Sequence, residues 1–168
     1  DALRESEALY RTLIENIPQA LLLNDLKSKY ISINTAYAIA FGLHQEEVAG
    51  KSDHNFHPKD LADKFRQEDR LVMETGEARE FDEENVKGGT KRFYHKVKVP
   101  VRDGMGKIVG VLSALTDITA RKQAEEALRE TTGTLQTIIQ ASPAAIIAID
   151  PDGNVTLWNP AAERLFGW

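Results

Sequence analysis

Four histidines, His44, His54, His57 and His95, are the side chains of this sequence best suited to exchange a proton or hold a metal near neutral pH. Asp53, His54, His57 and Asp60 are close enough in sequence to chelate, but they fall in a polar loop, where solvated histidines are the commoner outcome; no metal site is expected. His95 stands in an alternating run, which predicts Phe93, His95, Val97 and Val99 on a buried face and Arg92, Tyr94, Lys96 and Lys98 on the opposite one. A neutral imidazole placed there needs a hydrogen-bond partner, supplied by backbone or by a ligand. There is no cysteine, which removes disulfides, thiolate metal sites and thiol nucleophiles. Gly104, Gly106 and Gly110 make a superficial G-x-G pattern between two strands, with no helix N-terminus to receive a phosphate, and read as turn and packing residues. No convergent acid, base and nucleophile set is visible, so no catalytic residue is assigned.

Charge narrows the partners. The 168 residues carry 21 Lys and Arg against 26 Asp and Glu, a net charge of -5, whereas a chain that neutralises phosphates leans the other way; nucleic acid is not an expected partner. The longest apolar run, Ala144 to Ile149, is far short of the ~20 residues that span a bilayer. No signal peptide is read at the N-terminus, so a cytoplasmic fragment without membrane contact is expected, whatever attaches the parent protein elsewhere.

The elements that must position these groups can be read from stop and start signals. Residues 2 to 15 form an amphipathic helix that Pro18 prevents from continuing. Ala20 to Asn24 and Lys29 to Ile33 read as a hairpin about the turn Asp25-Leu26-Lys27-Ser28. Asn34 caps a short helix that Gly42 stops. Pro58 opens a longer helix to Thr75, with Leu61, Phe65, Val72 and Met73 on its apolar side and Gly76 as its stop. Three strands follow, Glu80 to Val86, Arg92 to Val101 and Lys107 to Leu115, the last expected to be covered on both faces; Lys87-Gly88-Gly89-Thr90 supplies turn chemistry.

Residues 2 to 43 align without a gap on residues 127 to 168, from Ala2-Leu3-Arg4-Glu5 on Ala127-Leu128-Arg129-Glu130 through Pro18/Pro143, Asp25/Asp150, Asn34/Asn159 and Gly42/Gly167. One unit therefore ends and a second begins within a charged helix that starts after Asp117. Asp117 is a good N-cap with Arg121 four residues on as its ion-pair partner, and Ala124, Leu128, Leu135 and Ile138 make a narrow apolar seam suited to a partner helix in a homodimer. Thr131-Thr132-Gly133-Thr134 are poor helix formers and predict a bend or break in it. The second unit lacks closing strands, and the same segment of a second copy is expected to supply the missing partner, either by edge pairing or by packing Ile147, Leu157 and Phe166 across a two-fold axis, with Trp158 and Trp168 as reporters.

In order and spacing, Asn159-Pro160-Ala161-Ala162 with its variant Asn34-Thr35-Ala36-Tyr37, then Glu74-Thr75-Gly76-Glu77, Lys98-Val99-Pro100-Val101-Arg102-Asp103, Gly110-Val111 and Asp117-Ile118-Thr119-Ala120-Arg121-Lys122 resemble the PAS sensor-domain family with its C-terminal PAC segment. The resemblance implies an α+β fold, a five-stranded antiparallel sheet with helices on one face, flanked by linker helices. It divides the chain into a linker helix 1–16, a complete PAS domain 17–117, a signalling helix 118–140 and the start of a second PAS domain 141–168. It further implies a non-enzymatic input module of a bacterial signalling protein, ahead of a histidine kinase or a cyclic-dinucleotide enzyme, or else a ligand-free dimerisation spacer. A family pocket would be lined by Tyr30, Phe65, Met73, Phe93 and His95, with Asp117, Thr119 and Arg121 as the signalling joint. Haem is disfavoured because the long helix has no histidine, and a cysteinyl flavin because there is no cysteine; a non-covalent small ligand stays open.

Overall fold

A computed structural model describes residues 2–87 and 89–167, so Gly88 of the expected turn and the reporter Trp168 lie outside it. By contacts the chain divides into one unit up to Thr119 and another from Ala120.

The first unit begins with helix α1 (Ala2–Asn16), followed by strands β1 (Ala20–Asp25) and β2 (Tyr30–Ile33), helices α2 (Thr35–Phe41), α3 (Gln45–Val48) and α4 (Lys59–Thr75), and strands β3 (Arg79–Lys87), β4 (Thr90–Arg102) and β5 (Ile108–Asp117). The strands form one antiparallel sheet in the order β2-β1-β5-β4-β3, so that β5, last in sequence, lies at the centre beside β1. The α+β class and the five-stranded antiparallel sheet are as the sequence predicts. Its start and stop signals hold as well: Pro58 precedes α4, and Gly42 and Gly76 both adopt left-handed backbone at the ends of α2 and α4.

One side of the sheet carries the core. Ala20, Leu22, Tyr30, Ile33, Tyr37, Val48, Tyr94 and Leu115 pack there with Phe41 and Phe56, and the rings of Tyr37 and Phe41 lie 4.5 Å apart. The other side is half exposed, because Leu112 and Ala114 of β5 alternate outward; the expectation that β5 is covered on both faces is corrected. Centrality in a sheet fixes a strand's two neighbours, not the cover on its faces. β5 meets β1 closely at Gly110, where an added Cβ would stand 2.3 Å from the backbone oxygen of Asn24. Gly110→Ala is therefore expected to destabilise the first unit by about 2–3 kcal/mol, since the obstacle is paired backbone and cannot turn aside; an unchanged thermal midpoint would show that the strands are free to part.

The second unit contains helix α5 (Thr119–Ala141), strands β6 (Ile147–Ile149) and β7 (Val155–Trp158), and helix α6 (Pro160–Phe166). Helix α5 runs unbroken through Gly133, with Thr131 and Thr137 donating their hydroxyls back to Ala127 and Gly133 oxygens; the expected bend is absent. Leu128, Leu135 and Ile138 are exposed along it. The repeat holds at the level of single hydrogen bonds. Asn34 Oδ1 accepts from the N–H groups of Leu21 and Tyr37, and Asn159 Oδ1 from those of Ile146 and Ala162. Asn34 Nδ2 donates to Ile14 and Gln19 oxygens, and Asn159 Nδ2 to the aligned Ile139 and Ala144. Asp25 and Asp150 pin equivalent turns, each accepting from backbone N–H groups two and four residues on. Among the described residues no helix is long and apolar enough to cross a membrane.

Candidate functional site

Strand β4 faces the opposite way from its expected parity. Tyr94, Lys96 and Lys98 are buried on the core side, while Phe93, His95, Val97 and Val99 are half exposed on the outer side. His95 is thus removed from the interior: its Nδ1 lies 2.8 Å from Asp82 Oδ1 across the β3–β4 ladder and its Nε2 3.7 Å from Glu80. The reason is charge. Lys96 Nζ sits 2.8 Å from Glu83 Oε2 and 2.7 Å from Glu68 Oε2, and stands 4.0 Å from the centre of the Phe65 ring. Lys98 pairs with the fully buried Asp69, donates to the Phe65 backbone oxygen at 3.2 Å, and lies 3.4 Å from Glu68. Asp69 in turn accepts from Asn24 Nδ2 at 2.9 Å. Two lysines whose ammonium groups are matched by carboxylates become interior residues, and the aliphatic stems follow.

These groups surround a cavity of about 20 Å³, room for a single water. Leu22, Asn24, Ser113 and Leu115 of the two central strands line it, opposite Phe41, Asp53, His57 and Phe65. Two acceptors there have no partner among the described residues: Asn24 Oδ1 and the Ser113 hydroxyl oxygen, both fully buried. A buried polar atom left without a hydrogen bond costs about 1–3 kcal/mol, so the cavity favours whatever can donate to them.

Of the residues expected at a pocket, Phe65 lines this cavity. Tyr30 is one layer away in the core, its hydroxyl donating to Asp53 Oδ1 at 2.7 Å and touching the Tyr37 hydroxyl at 3.5 Å. Burial, opposed by the Tyr30 hydrogen bond, raises the Asp53 carboxyl above its ordinary range, and burial likewise raises both tyrosines. Met73 is corrected to the outer flank of α4, beside Arg66 and Arg70, and Phe93 and His95 to the outer sheet face. Asp53, His54 and His57 diverge: Asp53 turns inward to Tyr30, His54 Nε2 meets Asp63 at 2.7 Å, and His57 lines the cavity. Among the described residues no group of three or more His, Cys, Asp or Glu is placed to hold a metal.

The expected joint is anchored to β4. Asp117 pairs with Arg92 at 3.0 Å, correcting the expected Arg121, which pairs forward with Glu125. Asp117 Oδ1 accepts from Thr119 N at 2.9 Å, one residue before the position a cap would occupy, because α5 begins at Thr119. The Phe93 backbone closes the clamp by accepting from Ile118 N at 2.8 Å and donating to Thr119 Oγ1 at 2.9 Å. Burial pushes the Asp117 carboxyl up, but hydrogen bonds from Thr119 and Arg92 outweigh it and hold the group below its usual range.

The PAS fold family matches residues 14–123 and, separately, residues 133–168. The methanogenesis regulatory histidine kinase FilI of Methanothrix harundinacea is 27% identical over 151 residues, 88% of this chain and 17% of that protein. The sensor protein FixL of Bradyrhizobium diazoefficiens is 41% identical over 68 residues, 40% of this chain and 14% of that protein. The chain spans a fifth or less of the length of these curated relatives. Among solved structures, VqmA of Vibrio cholerae in a complex with ligand and DNA superposes with a TM-score of 0.62 at 28% identity, over 67% of this chain and 51% of that one. The PAS domain of BvgS from Bordetella pertussis gives a TM-score of 0.61 at 24% identity, over 77% of this chain and 98% of that domain.

Proposed function

This chain belongs to the PAS family, and from that premise we propose that its first unit is the input module of a longer signalling protein whose output is a histidine kinase. The observation that carries the reading is the pair of orphaned acceptors, Asn24 Oδ1 and Ser113 Oγ, on the paired strands β1 and β5, the second of which leads out of the unit. A small polar ligand that donates to them exceeds the single-water volume of the cavity, so it enters only by parting Lys96 and Lys98 from their carboxylates. Such a change acts on β5, and β5 leads through Asp117, Ile118 and Thr119 directly into α5. VqmA, which shares this fold at 28% identity, is described as bound to DPO, which supports a ligand-binding use here. The exposed residues Leu128, Leu135 and Ile138, with Ala124, then form the seam of a homodimer, through which the helix passes the change on.

A second reading, a ligand-free dimerisation spacer, is favoured by the small volume of the cavity. Native mass spectrometry and absorbance of the purified chain separate the two. Sensing predicts a retained mass, or one captured from a metabolite mixture, that Ser113→Ala weakens; a chain that never carries added mass supports the spacer. In the intact parent protein, Asp117→Ala is expected to change stability by less than about 1 kcal/mol, since its pair with Arg92 is solvent-exposed, while abolishing the response of autophosphorylation to the stimulus. A normal response would remove Asp117 from the signal route.

A further inference from the structure

A second, cationic cleft lies on the far flank of α4 from the ion cluster. It measures about 280 Å³ and is lined by Leu26, Lys27 and Ser28 of the β1–β2 turn and by Arg66, Arg70 and Met73. Lys64, on the same helix, pairs with Glu68, and Lys59 with Asp63, yet none of Lys27, Arg66 and Arg70 makes an ion pair among the described residues. Arg66 and Arg70 are four apart on one helix face, a placement that repels when the charges are left unmatched. The nearest acid of the turn, Asp25, is occupied by the N–H groups of Lys27 and Lys29. Ser28 is 3% exposed, and its hydroxyl has no hydrogen bond among the described residues. The aligned turn of the second unit reads Pro151-Asp152-Gly153, acidic and without the hydroxyl, so this cleft is a property of the first unit and not of the repeat.

We propose that this cleft is a binding site for a phosphate monoester or diphosphate carried by a small apolar body. The two guanidinium groups offer paired N–H donors that match phosphate oxygens, Lys27 adds a mobile charge and Ser28 a hydroxyl donor. Leu26, half exposed at the tip of the turn, and Met73 supply an apolar floor, which favours a nucleoside phosphate or a lipid headgroup over a bare ion. The site is separate from the cavity around Ser113, so the two readings stand or fall independently.

Calorimetric titration of the 168-residue chain at low ionic strength with inorganic pyrophosphate and with ADP tests it, alongside co-sedimentation with phosphatidylcholine vesicles containing phosphatidylinositol phosphate. Arg66→Gln combined with Arg70→Gln is expected to weaken binding at least about tenfold, and added salt to weaken it in the unmodified chain. Lys107→Gln combined with Arg129→Gln removes the same charge elsewhere and is expected to leave the affinity within about twofold. Arginine-dependent vesicle binding without pyrophosphate or ADP binding assigns the phosphate to a lipid; the reverse assigns it to a soluble molecule. Absence of binding to all three probes, or an equal loss in the control variant, overturns the proposal.

Discussion

Replacing Lys98 with Met is expected to cost the first unit about 3–5 kcal/mol. The side chain is 3% exposed, and its departure leaves the Asp69 carboxylate, which has no exposed surface, with Asn24 Nδ2 as its remaining close donor. Glu68, already accepting no well-aligned hydrogen bond, loses one of the three ammonium groups near it. Asp69→Asn in the same chain removes the stranded charge while keeping a partner for Asn24, and should recover at least about half of the loss. Both tryptophans belong to the second unit, so urea unfolding of the first is best followed by tyrosine signals or by backbone amides of β4. A loss below about 1 kcal/mol would mean that water reaches these pairs and that the cluster is an ordinary surface network.

Asn34→Ala should follow closely, at about 3 kcal/mol, with a fall in thermal midpoint on the order of 15 °C. The amide of Asn34 serves two backbone donors, at Leu21 and Tyr37, and three carbonyls, at Ile14, Ile17 and Gln19, and no solvent replaces it in a side chain 1% exposed. Alanine leaves two N–H groups orphaned and uncaps α2. The matching Asn159→Ala is expected to alter Trp158 fluorescence while leaving amides of β1 unchanged. If Asn34→Ala lowered the midpoint by less than about 5 °C, the amide would be a cap and nothing more.

What could be read from the residues alone was whatever is decided locally. Proline, asparagine and glycine set the ends of α2 and α4 by backbone conformation within a few residues, and the gapless repeat carried those decisions into the second unit. The facing of β4 was not decided locally. Alternation fixes which residues share a side, but its sign depends on what the opposing layer offers, and two lysines look like solvent until their acids are found. A signal for those acids does exist. The stripe Phe65, Glu68, Asp69, Val72 follows the spacing of a helix face, so two carboxylates stand among the core positions of α4. Taking Met73 in place of Glu68 and Asp69 as part of that face hid both the burial of Lys96 and Lys98 and the true lining of the cavity. The ion pair of Asp117 was mistaken for the same reason: Arg121 is near in sequence, Arg92 near only after β4 and β5 have paired.

The asparagine knot also orders events in time. The link from Asn34 to Ile14 closes a loop of 20 residues, whereas Ala20 and Leu115 meet across 95, the difference between their positions. On logarithmic loop entropy the longer closure is dearer by roughly 1.4 kcal/mol. On a chain emerging from the ribosome at about 5–20 residues per second, several seconds separate the moment the knot can form from the moment β5 arrives. During that interval the hairpin and its capped helix stand as a scaffold with one side of β1 unpaired, and the same scaffold is written again from Ala127 onward. Nascent molecules of this protein thus expose a strand edge twice.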